Sequence, residues 1–270
     1  MEAATLLPPM PADGGSCKKC GMVFARLAPS GLCLNHERQA HDERDRMEAL
    51  EERKRAGAEL LERLDLALES DMERAGLSKR ERRANLEGIP QSVRKAMPSA
   101  QVKEMLRGAI PESGWGILGT TGTGKTMALA AVLRANARAI LQERIPKEGP
   151  IQVDWLRWES WPILADWLRD HARSDADQVA ARLQAACTAP ILVLDDLAAE
   201  RRIGNYGSDY AVGKLDLIID TRHRECLPTW YTANVDGEAG LLEAYGARLV
   251  SRLCGSNPGF SVSGDDLRMA

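Results

Sequence analysis

The sequence predicts an α/β fold: a parallel sheet with helices on both faces, preceded by a small metal-binding module and a long charged helix. Three observations predict it. From about Trp115 onward, short apolar runs alternate with helical stretches, the pattern of parallel strands joined by crossover helices. One of those runs, Ile191-Leu192-Val193-Leu194, is apolar at consecutive positions, as a strand buried on both sheet faces must be. Half of the six cysteines, Cys17, Cys20 and Cys33, fall ahead of this pattern.

Composition narrows the classes. The 270 residues allow one full domain and a smaller second one. With 36 Lys+Arg against 39 Asp+Glu the net charge is −3, which excludes a globally basic nucleic-acid binder and leaves room only for a local patch. No run approaches the ~18 apolar residues of a membrane span. Residues 1–11 lack the basic start and apolar stretch of a secretory signal. A cytoplasmic protein without membrane attachment is therefore expected. In that compartment clustered cysteines indicate metal before disulfide. Cys187, Cys226 and Cys254 stand singly and read as small buried hydrophobes.

Taken in order, residues 1–16 are rich in Pro, Ala and Gly and read as a flexible leader. Residues 17–75 form the metal-binding module and charged helix, a partner-binding region. Within it Cys17-x₂-Cys20-x₁₂-Cys33-x₂-His36 offers two close ligand pairs, the donor set of a tetrahedral structural zinc, with His41 as the rival fourth ligand. Gly21 permits the tight turn after the second cysteine. Residues 37–75 are charged, lack Pro and have one interior glycine, Gly57. Met47, Leu50, Leu61, Leu64 and Leu68 share one helical stripe, interrupted at Lys54 and Gly57. That stripe is one docking face of a solvated helix or a self-pairing seam. Residues 76–113, punctuated by Gly76, Gly88, Pro90, Pro98, Gly108 and Pro111, read as a linker of short helices. It carries a basic group, Lys79, Arg80, Arg82, Arg83, Arg94 and Lys95, either solvated or set against a phosphate backbone.

Residues 114–270 then alternate. Strands are expected at 115–118, 153–158, 191–194 and 229–233. Helices are expected at 126–141, 161–171, 175–187 and 210–222. Between the first strand and first helix lies Gly119-Thr120-Thr121-Gly122-Thr123-Gly124-Lys125-Thr126, which fits G-x-x-x-x-G-K-[ST] throughout. Glycines let the backbone wrap a phosphate with its N–H groups pointing inward, at the positive end of the next helix. Lys125 is expected to reach the β- and γ-phosphates, and the Thr126 hydroxyl to ligate Mg²⁺. The buried strand ending in Asp195-Asp196 delivers acids to the same sheet edge. Asp195 is expected to hold Mg²⁺, and Asp196 to orient or deprotonate the attacking water, with Glu200 as the alternative base. Asn234, at the end of the last strand, offers an amide to sense phosphate or position water, or else caps a turn. Arg248 and Arg252, at i and i+4, share a helix face from which a guanidinium can be supplied across a subunit interface, or which is simply solvated.

With these residues in order, the stretch from about Gly76 to Ala270 resembles the DnaC/IstB-like AAA+ ATPases, the bacterial and phage replicative-helicase loaders and the transposition helpers. The resemblance rests on 119–126, on 191–196 followed by Leu197-Ala198-Ala199-Glu200, and on Ile218-Ile219-Asp220-Thr221-Arg222. It extends through Thr232-Ala233-Asn234, Arg248-Leu249-Val250-Ser251-Arg252-Leu253 and Gly264-Asp265-Asp266-Leu267-Arg268. It implies an AAA+ P-loop core without a C-terminal helical lid, with Asn234 as the sensor-1 residue and Arg248 as the finger acting in trans. It implies slow hydrolysis of ATP with Mg²⁺, because Asp196 stands where some members carry Glu. Self-association and a replicative helicase gripped by the N-terminal zinc module follow by the same resemblance. Single-stranded DNA is a further partner, met by Arg169, Arg173 or Arg182. The rival functions are a transposition helper acting on target DNA and transposase, and a zinc-containing adaptor that binds ATP with little hydrolysis.

Overall fold

The computed structural model describes residues 15–24, 30–144, 155–199 and 209–267. The chain divides into two compact units, Met1–Glu62 and Arg63–Ala270. In the first, β1 (Gly15–Ser16) and β2 (Val23–Phe24) pair antiparallel, and α1 (Leu34–Arg74) begins directly after Cys33. This helix contributes to both units. Met47 and Leu50 of the expected stripe are exposed, whereas Leu64 and Leu68, with Met72, are fully buried in the second unit. The Leu61 side chain lies outside the described set. Among the described residues no helix is long and apolar enough to cross a membrane.

The second unit continues with α2 (Lys79–Arg82), α3 (Gln91–Ala96), α4 (Ser99–Met105), β3 (Gly116–Gly119), α5 (Lys125–Arg144), β4 (Leu156–Ser160) and α6 (Trp161–His171). There follow α7 (Ala176–Thr188), β5 (Ile191–Leu197), α8 (Asp209–Arg224), β6 (Thr229–Ala233), α9 (Gly237–Tyr245), α10 (Ala247–Ser256) and β7 (Gly259–Val262). The last strand, α9 and the β1–β2 hairpin were not expected from the sequence. Residues 153–154 of the second expected strand lie outside the described residues, and the strand ends two residues later than expected, at Ser160. The five strands form one parallel sheet in the order β4-β5-β6-β3-β7.

Period-two alternation distributes the strand residues between two cores. Ile191 and Val193 face one side with Trp115, Ile117 and Trp230; Leu192 and Leu194 face the other with Leu118, Tyr231 and Ala233. The first side is covered by α5, which is buried almost all round at Ala128, Leu129, Ala130, Ala131, Val132 and Leu133. The stretch 76–113, expected as a linker, supplies Ile89, Val93, Met97 and Met105 to this core. Asn136 on α5 fastens it there, donating to Met105 O at 2.7 Å and Ala109 O at 2.8 Å. The second side is covered by α6 to α10.

One buried cation holds that second side together. Arg222, 1 % exposed, donates to Ala186 O, Cys187 O and Ala189 O at the end of α7, and to Pro228 O and Thr229 Oγ1 at the start of β6. These α7 carbonyls are the ones a helix leaves unpaired at its C-terminus, where the dipole favours positive charge. Burial pulls the guanidinium down to about 10, so it stays protonated at neutral pH. Arg222→Met leaves those acceptors without donors. It is expected to cost about 3 kcal/mol and to lower Tm by roughly 10 °C in a calorimetric scan. An unchanged Tm would remove the clasp.

Candidate functional site

The loop between β3 and α5 bends where its glycines allow. Gly122 and Gly124 take φ of 84° and 86°, a region other residues enter at a cost, and a Cβ at Gly124 would run into Pro90. Lys125, 5 % exposed, folds back over the loop. Its ammonium donates to Gly119 O at 3.0 Å, Thr120 O at 2.7 Å and Asn234 Oδ1 at 2.9 Å, with Thr123 Oγ1 at 3.5 Å.

The acids are aimed by a break in strand pairing. Leu194 pairs with Tyr231 and Leu197 with Ala233, so β5 spends one more residue than β6 across this step. Such a bulge re-aims side chains. It contains Asp195 and Asp196, and Asp196 stands at φ 63°. Thr232 sits opposite and ties both down. Its hydroxyl donates to Asp195 Oδ1 at 2.6 Å and accepts the Asp196 N–H at 2.9 Å. Thr126 Oγ1 donates to the same Asp195 oxygen at 2.9 Å. Asn234 Nδ2 donates to Asp196 Oδ1, while its Oδ1 accepts from Lys125, which fixes the orientation of the amide. The structure thus assembles Lys125, Thr126, Asp195, Asp196 and Asn234 at one edge of the sheet, around a cavity of about 440 Å³.

Burial pushes the Asp195 carboxyl up to about 6, and the neighbouring charges of Glu81 and Asp196 add to the rise. The hydroxyls of Thr232 and Thr126 oppose it. The sign is unfavourable to the ligand-free fold at neutral pH. The folded state holds this proton more tightly than the unfolded chain does. The resulting stabilisation is complete below about pH 4 and lost as pH rises through 6, a cost on the order of 3 kcal/mol at pH 7. Asp195→Asn is therefore expected to raise the Tm of nucleotide-free protein at pH 7 to 8, with the difference vanishing below about pH 4. Parallel pH profiles for the two proteins would contradict it.

Several residues around the cavity were not expected there from the sequence. Arg80 and Glu81 on α2, Pro90, Met127 and Leu267 line it. Glu81 completes a capping box with Ser78, and Arg80 is the member of the basic group that reaches the cavity. Arg82 instead pairs with Glu73 at 2.7 Å, and Arg94 donates to Leu86 O at 2.7 Å. Thr232 carried one faint signal, a β-branched hydroxyl in an otherwise apolar part of a strand. Arg248 does not join the cavity. It lies exposed on α10, 3.7 Å from Asp216, while Arg252 pairs with Asp220 at 3.0 Å. Glu200 and Arg268 lie outside the described residues. Of the arginines considered for DNA, Arg182 pairs with Glu159 at 2.8 Å and stacks over Trp167, Arg169 pairs with Asp166, and Arg173 is exposed.

The first unit holds a separate cluster. The ligand atoms of Cys17, Cys20, Cys33 and His36 all lie within 4.8 Å of one another. His36 Nδ1 is 3.3 Å from Cys17 Sγ and 3.4 Å from Cys33 Sγ. Tetrahedral zinc with Zn–S bonds of ~2.3 Å needs donors roughly 3.5–4 Å apart, so the set fits the metal. The hairpin turn closes through Gly21 N–H to Cys17 O at 2.8 Å, and His36 comes from the first turn of α1. Desolvation pushes the Cys17 thiol up, but amide donors from Cys33, Cys20 and Lys19 and the His36 ring outweigh it and hold it down to about 5. His41, the rival ligand, is exposed and pairs with Asp45 at 2.9 Å.

No protein-family model and no curated protein matches the sequence. Solved structures do. The crystal structure of the DnaC helicase loader superposes with a TM-score of 0.53 at 22 % identity, covering 69 % of this chain and 100 % of that one. That of DnaI superposes with a TM-score of 0.50 at 23 % identity, covering 72 % and 95 %. At such identities the likeness is one of fold: the second unit shares the core architecture of these two structures.

Proposed function

We propose that this AAA+ core binds and slowly hydrolyses ATP, and that the chain is a loader of the replicative DNA helicase, gripping it through the N-terminal zinc module and releasing it on hydrolysis. The observation that carries the proposal is the joint placement of Lys125, Thr126, Asp195, Asp196 and Asn234, on a fold that spans the whole of the DnaC loader structure. Lys125 would exchange loop carbonyls for phosphate oxygens and neutralise their charge. Thr126 and Asp195 would hold Mg²⁺, which supplies further charge neutralisation at the phosphates. Asp196, oriented by Asn234, would accept the proton of the attacking water. Because Asn234 also touches Lys125, one amide links the base to the phosphate-binding group.

Arg248 is exposed on its helix, which suits a guanidinium acting on a neighbouring protomer's nucleotide. Arg248→Ala and Asp195→Ala proteins, each inactive, are expected to regain about a quarter of wild-type ATPase when mixed and assembled at random. No recovery at high protein concentration would remove the trans role.

The loader reading is tested by size-exclusion chromatography with light scattering, mixing the protein with its host's hexameric replicative helicase in Mg-ATP and in Mg-ADP. The expected result is a nucleotide-dependent complex that weakens when Cys17 and Cys20 are replaced. No complex in either state would overturn it and turn attention to a transposase with duplex DNA.

A further inference from the structure

Beyond β7 the chain turns back across the phosphate loop. The Leu267 N–H donates to Gly122 O at 3.1 Å, and the Leu267 side chain lines the cavity beside Gly124. The residue before it, Asp266, lays its carboxylate on Gly122: a Cβ at Gly122 would collide with that group. The strap cannot drift far, because Val262 pairs with Gly119 at the root of the same loop. An anion thus rests on a backbone turn whose glycines and following helix are built to receive phosphates.

We propose that Asp266 is an acidic gate on the phosphate loop, whose carboxylate opposes the incoming phosphates and so sets the affinity for nucleotide. This rests on the nucleotide-binding reading above. The Leu267–Gly122 hydrogen bond and the Leu267 side chain hold the gate in place; the charge of Asp266 supplies the opposition. Two anions held against one loop repel, so binding requires the strap to shift or the repulsion to be borne. The affinity of wild-type protein is the net of attraction by Lys125 and the loop amides and opposition by Asp266. Adenosine, which carries no phosphate, is indifferent to the gate.

The test is the binding of ATP, ADP and adenosine to wild type, Asp266→Asn and Asp266→Glu, at low and high salt. Asp266→Asn removes the charge and keeps the shape, and its Tm serves as the check on folding. It is expected to bind ATP and ADP roughly tenfold more tightly at low salt, with the gain shrinking as salt screens the charge and adenosine unmoved. Asp266→Glu, which keeps the charge, stays near wild type. Unchanged ATP affinity in folded Asp266→Asn overturns the gate, and weakened affinity overturns it by making Asp266 a ligand. A parallel change for adenosine overturns it by making the effect one of shape. If neither wild type nor Asp266→Asn binds ATP, it is the nucleotide-binding reading that fails, and the gate fails with it.

Discussion

Lys125→Ala is expected to weaken ATP and ADP binding by at least about 100-fold, because it removes a charge-assisted contact to phosphate from a water-poor site. The loss is compounded by the surroundings. The cavity also holds Asp195, Asp196 and Glu81, and Arg80 is the remaining basic side chain among its lining residues. Without the Lys125 ammonium a single cation, Arg80, faces three carboxylates, and the lining groups turn further against a polyanion. The carbonyls of Gly119 and Thr120 and the amide oxygen of Asn234, now turned toward Lys125, would also lose their donor. Titration with a fluorescent ATP analogue checks the prediction, and wild-type affinity in a folded variant would remove the site assignment.

Metal removal is expected to have the largest effect on the first unit. Its two strands are two residues each, and among its described residues Cys17 and Cys33 are the buried ones, so apolar packing contributes little. Zinc binding in comparable small modules is worth about 10–16 kcal/mol, enough to decide whether such a segment folds. Purified under reducing, chelator-free conditions, the protein is expected to carry one zinc per chain. Cys17→Ser or His36→Ala should abolish it, with loss of amide-exchange protection across residues 15–24 and 30–36. His41→Ala should leave both unchanged. Zinc content near zero in wild type, or loss of zinc in His41→Ala alone, would contradict the ligand set.

Much of this was legible in the chain. The spacing of Cys17, Cys20, Cys33 and His36 and the run from Gly119 to Thr126 are local patterns, and local patterns survive into any fold that contains them. The consecutive apolar residues of Ile191 to Leu194 likewise announced a strand buried on both faces, and the two cores confirm it. What stayed hidden depends on pairing between distant segments. The bulge that turns Asp195 and Asp196 toward the loop exists only because β5 pairs with β6, and Thr232 acquires its role only opposite that bulge. Arg80, Glu81 and Pro90 read as linker, because nothing local says that residues 79–90 pack beside the phosphate loop.

The sequence by itself therefore determined the chemistry available: a glycine-rich loop with its lysine, two adjacent acids at a strand end, and three cysteines and a histidine at zinc spacing. Tertiary structure alone decided how those groups meet. It set Asn234 between Lys125 and Asp196, placed His36 rather than His41 beside the cysteines, kept Arg248 outside the cavity and laid Asp266 on Gly122. The physical reason is range. Backbone propensity and side-chain periodicity act over a few residues, whereas hydrogen bonds and charges between groups far apart in the chain depend on a sheet register that only the packed core enforces.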